Sequence, residues 1–543
     1  MNFFDPFLSN SPMSRRDFIR RSGGCAALTS TSILATLLQL RMTGKVMAAP
    51  TLGPFNDYKA LICVFLFGGN DSFQMLAPLG PPGDDTEHDE YVQKRGGLVP
   101  PATGGVSGGL AWPKNDPKQH LNLLPVTVNN GPNAGRTFGM IPSMPNLHSL
   151  YNSGNVAFVA NTGTLVRPTT RADFNAGVDL PKGLFSHSDE VRNWQTSLPQ
   201  SRGEVQGWAG RIADLLTDPV NPDSISLSIA LDRLNIIQTG ANVVPYVVNA
   251  ENGAERLDNY PSTSSRFDRI RNASIDGIFP QDPDTMAGQY ADLLQRTHAD
   301  AGRDSIEAAI AYDEATNNVN LTTQFPDTSI GRQAEQVARA IAARESLGHQ
   351  RQIFFISRSD FDHHDGLVDF NGDTPAAGSH YGRIGEVDAA VMALQNALVE
   401  LENVPGELTN NVVTFSASDF SRTLNSNGNG SDHAWGGNHF VISGDANINS
   451  SVWGHYPESL LNATYNGVGS LDTDRGRLIP TTSVDEYAAE LAMWFGVPND
   501  SNLELVLPNI RNFYSGGGMP VGFLSTQAAR PVHPARFGNS GRR

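Results

Sequence analysis

Carboxylate and imidazole side chains that could bind a metal follow several apolar segments of the chain. Unpaired carboxylates at one edge of a sheet would repel one another unless a cation neutralised them. Oxygen and nitrogen ligands together favour Zn²⁺ or Mn²⁺, whereas Ca²⁺, which stays possible, would prefer oxygen alone. An Asp after a strand is otherwise most often a helix cap or a turn former. The candidate metal ligands are Asp71, Asp362, His364, Asp419, Asp432 and His433.

The candidate nucleophile is Ser186, with His187 beside it as a second candidate catalytic residue. A hydroxyl group is inert at its own pKa and needs a metal or a base before it can attack phosphorus or sulfur. A structural interpretation is equally good locally: Ser186 or Ser188 would be the N-cap of a predicted helix over 189–195, with acidic residues in its first turn. Both interpretations stay open.

Two further features belong to the same chemistry. Thr169 and Thr170 follow another predicted strand and are second-choice nucleophiles. Arg422, three residues beyond Asp419, could bind a non-bridging oxygen of a phosphate or sulfate ester, although a structural or solvated arginine is equally compatible with the sequence. Phosphoryl and sulfuryl transfer suit such a site because catalysis there depends mainly on positioning and charge neutralisation.

An acidic stretch between 360 and 373 superficially resembles a calcium-binding loop. It lacks the spacing of an EF-hand and its terminal Glu. We therefore do not predict an isolated calcium site from its members, Asp360, Asp362, Asp365, Asp369, Asn371 and Asp373.

The elements that must position these side chains alternate between strands and helices. Continuous apolar runs such as KALICVFLF predict strands buried on both faces. Steps of three and four between apolar residues over 384–401 predict a helix packed on a sheet. The alternation predicts an α/β/α sandwich with a mostly parallel sheet, whose strand ends are the expected ligand site. The predicted strands cover 59–67, 155–160, 351–357, 411–416 and 440–443, and the predicted helices cover 145–153, 189–195, 331–348, 384–401 and 485–495.

One large domain over 49–525 is expected, with two insertions. The segment 79–119 is rich in Pro and Gly and is expected to be irregular, whereas 235–330 is polar and predicted to be helical, mostly towards its end. The tail 526–543 combines several Arg residues with Pro, Ser and Gly and is predicted to be a disordered basic tail.

The first 48 residues predict a twin-arginine signal peptide. Arg15 and Arg16 precede an apolar, small-residue stretch over about 24–40, and small residues around Ala48 suit signal peptidase cleavage. A retained anchor is less favoured, because this stretch is shorter than the roughly 20 residues that span a bilayer. The expected partner during export is the twin-arginine translocase, which accepts folded cargo, and the expected location is periplasmic or secreted.

Charge and cysteine content restrict the remaining possibilities. Removal of the predicted signal, with six basic and two acidic residues, would change the formal net charge from −17 to −21. This argues against nucleic acid and anionic membranes as partners. Only Cys63 would remain, so no internal disulfide is expected. No later apolar run is long enough for stable membrane insertion after cleavage.

Several long motifs in fixed order carry a resemblance to a known family. They read LICVFLFGGNDSFQMLAP, LFSHSDEVRNWQTS, RQIFFISRSDFDHHDG and TFSASDFSRTLNSNGNGSDHAWGGNHFVISG, and continue through RLIPTTSVDEYAAELAMWFGV. Behind a twin-arginine signal, this order resembles the domain of unknown function 1501 family. That family is similar to the alkaline phosphatase and sulfatase superfamily, which implies an α/β/α sandwich, metal ligands at strand ends and a Ser, Thr or modified Cys nucleophile.

The resemblance implies roles for individual residues. Asp71 matches the first metal aspartate, and Asp362 with His364 matches an Asp-Thr-His segment in which His363 replaces the usual Thr. Ser186 falls near the place of the superfamily nucleophile.

Two further matches lie in the C-terminal third of the chain. Asp419 lies in a Ser-Asp/Glu-Phe segment, at a place often filled by Glu, and His433 lies in an Asp-His-Gly/Ala-Trp segment. A side chain shorter than Glu at 419 could move or loosen a metal.

These features together predict an exported metal-dependent hydrolase of phosphate or sulfate esters, acting on a small anionic ester through a Ser nucleophile at an Asp/His metal site. The alternative is a metal-stabilised, non-catalytic binding or assembly protein of the same fold, for which Gly-, Pro- and Asn-rich loops offer binding surface. A third interpretation, a cytoplasmic enzyme with a chance arginine pair, depends on where the protein is found.

Overall fold

An uninterrupted apolar run forms the central strand of the molecule, as its sequence predicts. In the computed structural model all eight residues of Lys59–Leu66 are buried, and parallel strands flank this segment on both sides. The structure describes residues 52, 55 and 57–525, except for 82, 221–224, 252, 255–259, 291, 445 and 465–468. The predicted signal over 1–48 and the predicted tail over 526–543 lie outside these residues.

Short strands follow from the alternation of apolar runs and turns. In chain order the strands are β1 (Lys59–Leu66), β2 (Leu76–Pro78), β3 (Leu124–Thr127), β4 (Thr137–Met140), β5 (Val156–Gly163), β6 (Ser228–Ala230), β7 (Tyr246–Val247), β8 (Arg351–Arg358), β9 (Phe370–Asn371), β10 (Thr374–Pro375), β11 (Val412–Ser418), β12 (Gly437–Ile442), β13 (Val452–Gly454) and β14 (Thr482–Ser483).

The helices are α1 (Ser72–Met75), α2 (Thr86–Lys94), α3 (Pro145–Asn152), α4 (Arg171–Ala176), α5 (His187–Thr196), α6 (Trp208–Val220), α7 (Arg266–Ile278), α8 (Pro283–Gln289), α9 (Leu293–Asn317), α10 (Ser329–Ala342), α11 (His380–Leu401), α12 (Val484–Phe495) and α13 (Ser501–Val506). Two short 3₁₀ helices cover Gln119–Leu121 and Ile510–Asn512.

The main sheet has nine strands among the described residues, in the order β13-β5-β12-β11-β1-β8-β6-β7, with β14 also paired to β5. The pairs of β1 with β11 and β8, of β8 with β6, and of β6 with β7 are all parallel. β12 is antiparallel to both β11 and β5. β1, β5, β8 and β11 therefore run in one direction, and their carboxyl ends share one edge.

Helices cover both faces of this sheet. Ile62 and Val64 of β1 belong to the same buried cluster as residues of α10 and α11. Leu61 and Phe65, which alternate with them, belong to a second cluster with residues of α6, α12 and α13. Successive side chains of a strand point to opposite faces, so the sheet lies between two helical layers. This confirms the predicted α/β sandwich with a mostly parallel sheet and added insertions.

The two insertions differ in detail from the sequence prediction. The segment 79–119 is not irregular throughout, because α2 forms inside it with Tyr91 buried, Glu87 and Asp89 in its first turn and Lys94 in its last. This charge order stabilises a helix, and the surrounding Pro and Gly residues obscured it. In the second insertion the helices α7–α9 begin only at Arg266, and β7 before them belongs to the main sheet.

Within the described part of the chain, no helix combines the length and the apolar character needed to cross a membrane.

Candidate metal centre

The loops that follow β1 and β11 are joined to each other at the carboxyl edge of the sheet. The backbone N–H of Gly68 lies 3.2 Å from each carboxylate oxygen of Asp419, and the N–H of Asn70 donates to the Ser418 hydroxyl at 2.9 Å. The loop after β11 then folds back, so that Arg422 and His433 pair in an antiparallel bridge. Parallel topology thus gathers residues that are far apart in the sequence.

Three side chains converge at this edge: His187, Asp362 and His433. One ligand atom from each lies within 4.8 Å of the others. Asp362 is at the centre, with one oxygen 3.4 Å from His187 Nε2 and the other 3.3 Å from His433 Nε2. Two imidazoles and a carboxylate form a donor set that suits Zn²⁺ or Mn²⁺.

A third imidazole borders the same carboxylate. His364 Nδ1 lies 2.9 Å from Asp362 Oδ1, and the rings of His364 and His433 have centroids 4.7 Å apart. Its neighbour His363 is buried, and its Nε2 lies 3.1 Å from the Gly378 carbonyl oxygen. Of the two adjacent histidines, His364 is therefore the one beside the centre.

In both converging imidazoles, a hydrogen bond at Nδ1 orients the ring so that Nε2 faces Asp362. His187 Nδ1 lies 2.7 Å from Asp419 Oδ2, and His433 Nδ1 lies 2.8 Å from the Phe185 carbonyl oxygen. An N–H held in this way leaves the Nε2 lone pair available, which is the arrangement typical of metal-ligating histidines. His187 Nε2 is buried and makes no hydrogen bond within the described residues, so a cation there would satisfy an orphaned polar atom.

Electrostatics differ between the two histidines. The hydrogen bond to Asp419 raises the pKa of His187. Burial lowers the pKa of His433. Burial also opposes ionisation of Asp362, but its hydrogen bond to Arg422 and the charge of that guanidinium outweigh this, so the pKa of Asp362 lies below its ordinary value. The centre thus holds an ionised carboxylate beside a histidine that favours the neutral form.

Arg422 is fully buried and contacts Asp362 of the candidate centre. Its Nη1 donates to Asp362 Oδ1 at 2.6 Å and to the Gly68 carbonyl at 3.3 Å, and its Nη2 donates to the Ser431 carbonyl. The guanidinium is therefore neither solvated nor free to bind a substrate through these groups. It neutralises and orients Asp362.

Asp71 and Asp432 are not part of the converging group, although the sequence predicts both as metal ligands. Asp71 is buried, and its Oδ2 lies 2.6 Å from Arg95 Nη2 while its Oδ1 accepts the Gln74 N–H at the start of α1. Asp432 Oδ2 lies 2.7 Å from Arg475 Nη1. Each of these carboxylates pairs with an arginine, and neither has an oxygen in the converging group.

Ser186 lies along the chain between two residues that touch the centre. It occupies the N-cap position of α5, but its side chain makes no capping hydrogen bond, and its Oγ lies 3.4 Å from Ser188 Oγ. The preceding Phe185, whose carbonyl accepts from His433, has a φ of 71°, a strained conformation for a residue with a side chain. Such backbone strain, beside a hydroxyl that does not cap the helix, is often found at functional turns.

The second-choice nucleophiles serve local structure. The Thr170 side chain accepts from the Asp173 N–H and forms a capping box at α4. The Thr169 hydroxyl donates to the Arg167 carbonyl at 2.9 Å. Ser186 differs from both threonines, because its described side-chain contact is with another hydroxyl, Ser188 Oγ.

The acidic side chains between 360 and 373 contact different groups of the protein. Asp360 pairs with Arg358 at 3.1 Å and Asp373 with Lys118 at 2.7 Å, while Asp362 belongs to the candidate centre. The absence of an isolated calcium site stays a prediction.

The sequence did not reveal three residues that hold the candidate site residues in place: Arg95, Phe185 and Gly68. Arg95 follows a helix inside a segment expected to be irregular, so nothing suggested that it would reach Asp71. The contribution of Phe185 is a backbone carbonyl, which no side-chain pattern reveals. Gly68 carried a usable signal, because paired glycines directly after a buried strand predict a tight turn or a close backbone approach.

Comparison with known protein families gives a match over most of the chain. The family model described as "Protein of unknown function (DUF1501)" matches residues 58–502, a range that contains every residue of the candidate centre. A search of curated proteins found no match to the chain.

Proposed function

The chain belongs to the DUF1501 family of proteins of unknown function, and we propose that it is an exported metal-dependent hydrolase of phosphate or sulfate esters. The observation that carries the proposal is the convergence of His187, Asp362 and His433, with the Nδ1 atoms of both histidines held by acceptors. The proposal includes the likeness to the alkaline phosphatase and sulfatase superfamily and export by the twin-arginine route to the periplasm or beyond.

The charges at the centre favour a single divalent cation, Zn²⁺ or Mn²⁺. Asp362 and Asp419 supply two negative charges, and Arg422 offsets one of them. Asp71, which the superfamily likeness would assign to a metal, is already neutralised by Arg95. The imidazoles make Ca²⁺ the less suitable ion. His187, Asp362 and His433 would hold the cation, with His364 as a fourth donor.

The cation and the surrounding side chains would have different roles in ester hydrolysis. A bound divalent cation supplies charge for a developing oxyanion and lowers the pKa of a nearby hydroxyl or water. Ser186 presents a hydroxyl that no capping bond holds, on a strained turn joined to His433 through the Phe185 carbonyl. Asp419 orients His187, and Arg422 keeps Asp362 ionised. The substrate would be a small anionic ester.

The test uses the full chain exported into and purified from a bacterial periplasm. Metal content is measured by mass spectrometry, and turnover of aryl phosphates and aryl sulfates is measured with Zn²⁺, Mn²⁺ and Ca²⁺. We expect one metal ion per chain, turnover of one ester class, and loss of turnover in Ser186→Ala with metal content retained. A folded protein that holds no metal, or that turns over neither ester with any metal, contradicts the hydrolase.

A second candidate is a metal-stabilised, non-catalytic binding or assembly protein. It is favoured by the surroundings of Ser186, since the described contacts of its Oγ reach Ser188 and include no general base. Replacement of His433 by Ala separates the two candidates. The hydrolase predicts that this variant loses turnover, whereas the alternative predicts only a lower melting temperature in a protein that binds metal and never turned over either ester.

A further inference from the structure

Arg477 lies between the two segments that meet at the candidate centre. Its guanidinium carbon is 5.0 Å from the centroid of the Phe185 ring, and its Nε donates to the His433 carbonyl at 2.8 Å. Its side chain is 25 % exposed. Arg477 therefore touches both a candidate ligand residue and the residue that precedes Ser186, and it remains accessible to solvent.

Most donors of this guanidinium have no hydrogen-bond partner among the described residues. An arginine carries five N–H groups, and Arg477 uses the one on Nε. Its nearest carboxylate within the described chain is Asp474, whose Oδ2 lies 4.0 Å from Nη1, beyond hydrogen-bond distance. The Nη groups of Arg477 can therefore accept a new anionic partner.

The other arginines around the centre are committed to protein carboxylates. Arg422 is bound to Asp362, and Arg475 is bound to Asp432. Arg477 is instead held in place by an aromatic ring and a backbone carbonyl, and its ion pair with the exposed Asp474 is long, at 4.0 Å. Such restraint lowers the entropic cost of binding a ligand.

We propose that Arg477 binds the non-bridging oxygens of the ester's phosphate or sulfate group, a role that the sequence offered for Arg422 beside a structural or solvated one. This inference rests on the proposed function and identifies the residue that selects an oxyanion. The guanidinium fork matches two oxygens of a phosphate or sulfate, and a charged hydrogen bond of this kind is strong. The chain carries a formal net charge of −17, which repels anions at long range, so a positively charged side chain such as Arg477 is needed near the site to attract the substrate.

Inorganic phosphate and sulfate are the probes, titrated into the full chain by calorimetry. Arg477→Gln removes the charge, and Arg477→Lys keeps the charge but loses the fork. Arg475→Gln is the matched control, because Arg475 lies two residues away and is paired with Asp432. We expect affinity for one of the two anions to fall about 10- to 100-fold in Arg477→Gln and less in Arg477→Lys, with a change under about twofold in Arg475→Gln.

The result that overturns the inference is an Arg477→Gln affinity within about twofold of wild type, or an equal loss in Arg475→Gln. Wild-type protein that binds neither anion also overturns it. If Arg477→Gln does not fold, Arg477→Lys is tested in its place. The inference then requires that the anion affinity of Arg477→Lys be at least about threefold lower than that of wild type.

Metal content measured on the same samples separates this inference from the proposed function. If the wild-type protein holds metal and Arg477→Gln does not change anion binding, the inference is overturned. The proposed metal centre is then still supported. Suppose that the wild-type protein holds no metal but binds the anion, and that Arg477→Gln does not bind it. This result supports the role of Arg477 and contradicts the metallo-hydrolase.

Discussion

The Nδ1 atom of His187 lies 2.7 Å from Oδ2 of Asp419, a carboxylate that the end of the sheet holds rigidly. Asp419 is buried, and both of its oxygens also lie 3.2 Å from the Gly68 N–H. The superfamily likeness implies that Asp419 binds metal directly, whereas the structure places it behind a histidine. A carboxylate in that position fixes the ring and makes the opposite nitrogen a better ligand.

Asp419→Asn is therefore expected to weaken metal binding by about 10- to 100-fold without abolishing it, because Asp362 and His433 still converge. Competition with a chelator measures the dissociation constant. Asp432→Asn is the control, since Asp432 pairs with Arg475 outside the converging group, and its metal affinity should stay within about twofold of wild type. Equal losses in both variants would contradict the assigned roles.

Asp71→Ala should destabilise the fold and leave the metal content of the purified protein unchanged. The Asp71–Arg95 pair is fully buried at 2.6 Å, and removal of one partner from a buried pair costs about 3–5 kcal/mol because the other charge stays unpaired. Chemical denaturation measures this cost, and mass spectrometry measures the metal content. Normal stability with loss of the metal would show instead that Asp71 is a ligand.

The five strands β1, β5, β8, β11 and β12 of the main sheet were predictable, because apolar runs of strand length have few alternatives in a chain of this kind. Parallel pairing then brings residues such as Asp362 and Asp419 to one edge, whatever their separation in sequence. Which carboxylate faces a cation was not predictable. That depends on where Arg95 and Arg422 lie, and both are placed by long-range packing with no local sequence signal.

Gly68→Ala is expected to displace Asp362 and to reduce metal affinity. Gly68 has a φ of +111°, and a Cβ atom there would lie 2.5 Å from the backbone nitrogen of Asp362, so the loop must shift. Gly83→Ala is the control: its φ of +87° is equally unfavourable for alanine, but its Cβ would have nothing within 4 Å. Both variants should lose about 1–2 kcal/mol from backbone strain, and only Gly68→Ala should also weaken metal binding. Metal affinity equal in the two variants would contradict the proposed contact.

Glu490 is expected to make the fold less stable as pH rises towards 8. Burial raises the pKa of this carboxyl to about 7, against the opposing effect of hydrogen bonds from the Val521, Gly522 and Leu524 N–H groups. Because the folded state holds the proton more tightly than the unfolded state, this contribution is complete below about pH 4.5 and is lost as pH rises through about 7.

Glu490→Gln should therefore flatten the fall in unfolding free energy between pH 5 and pH 8 by up to about 1.4 kcal/mol per pH unit, the limit for one proton. The variant should be less stable than wild type at pH 5, because an amide nitrogen would face one of the three backbone donors. Denaturant titrations at several pH values measure the slope. Glu504→Gln is the control, since Glu504 is half exposed and pairs with Arg511, and an equal flattening in that variant would show that the slope does not come from Glu490.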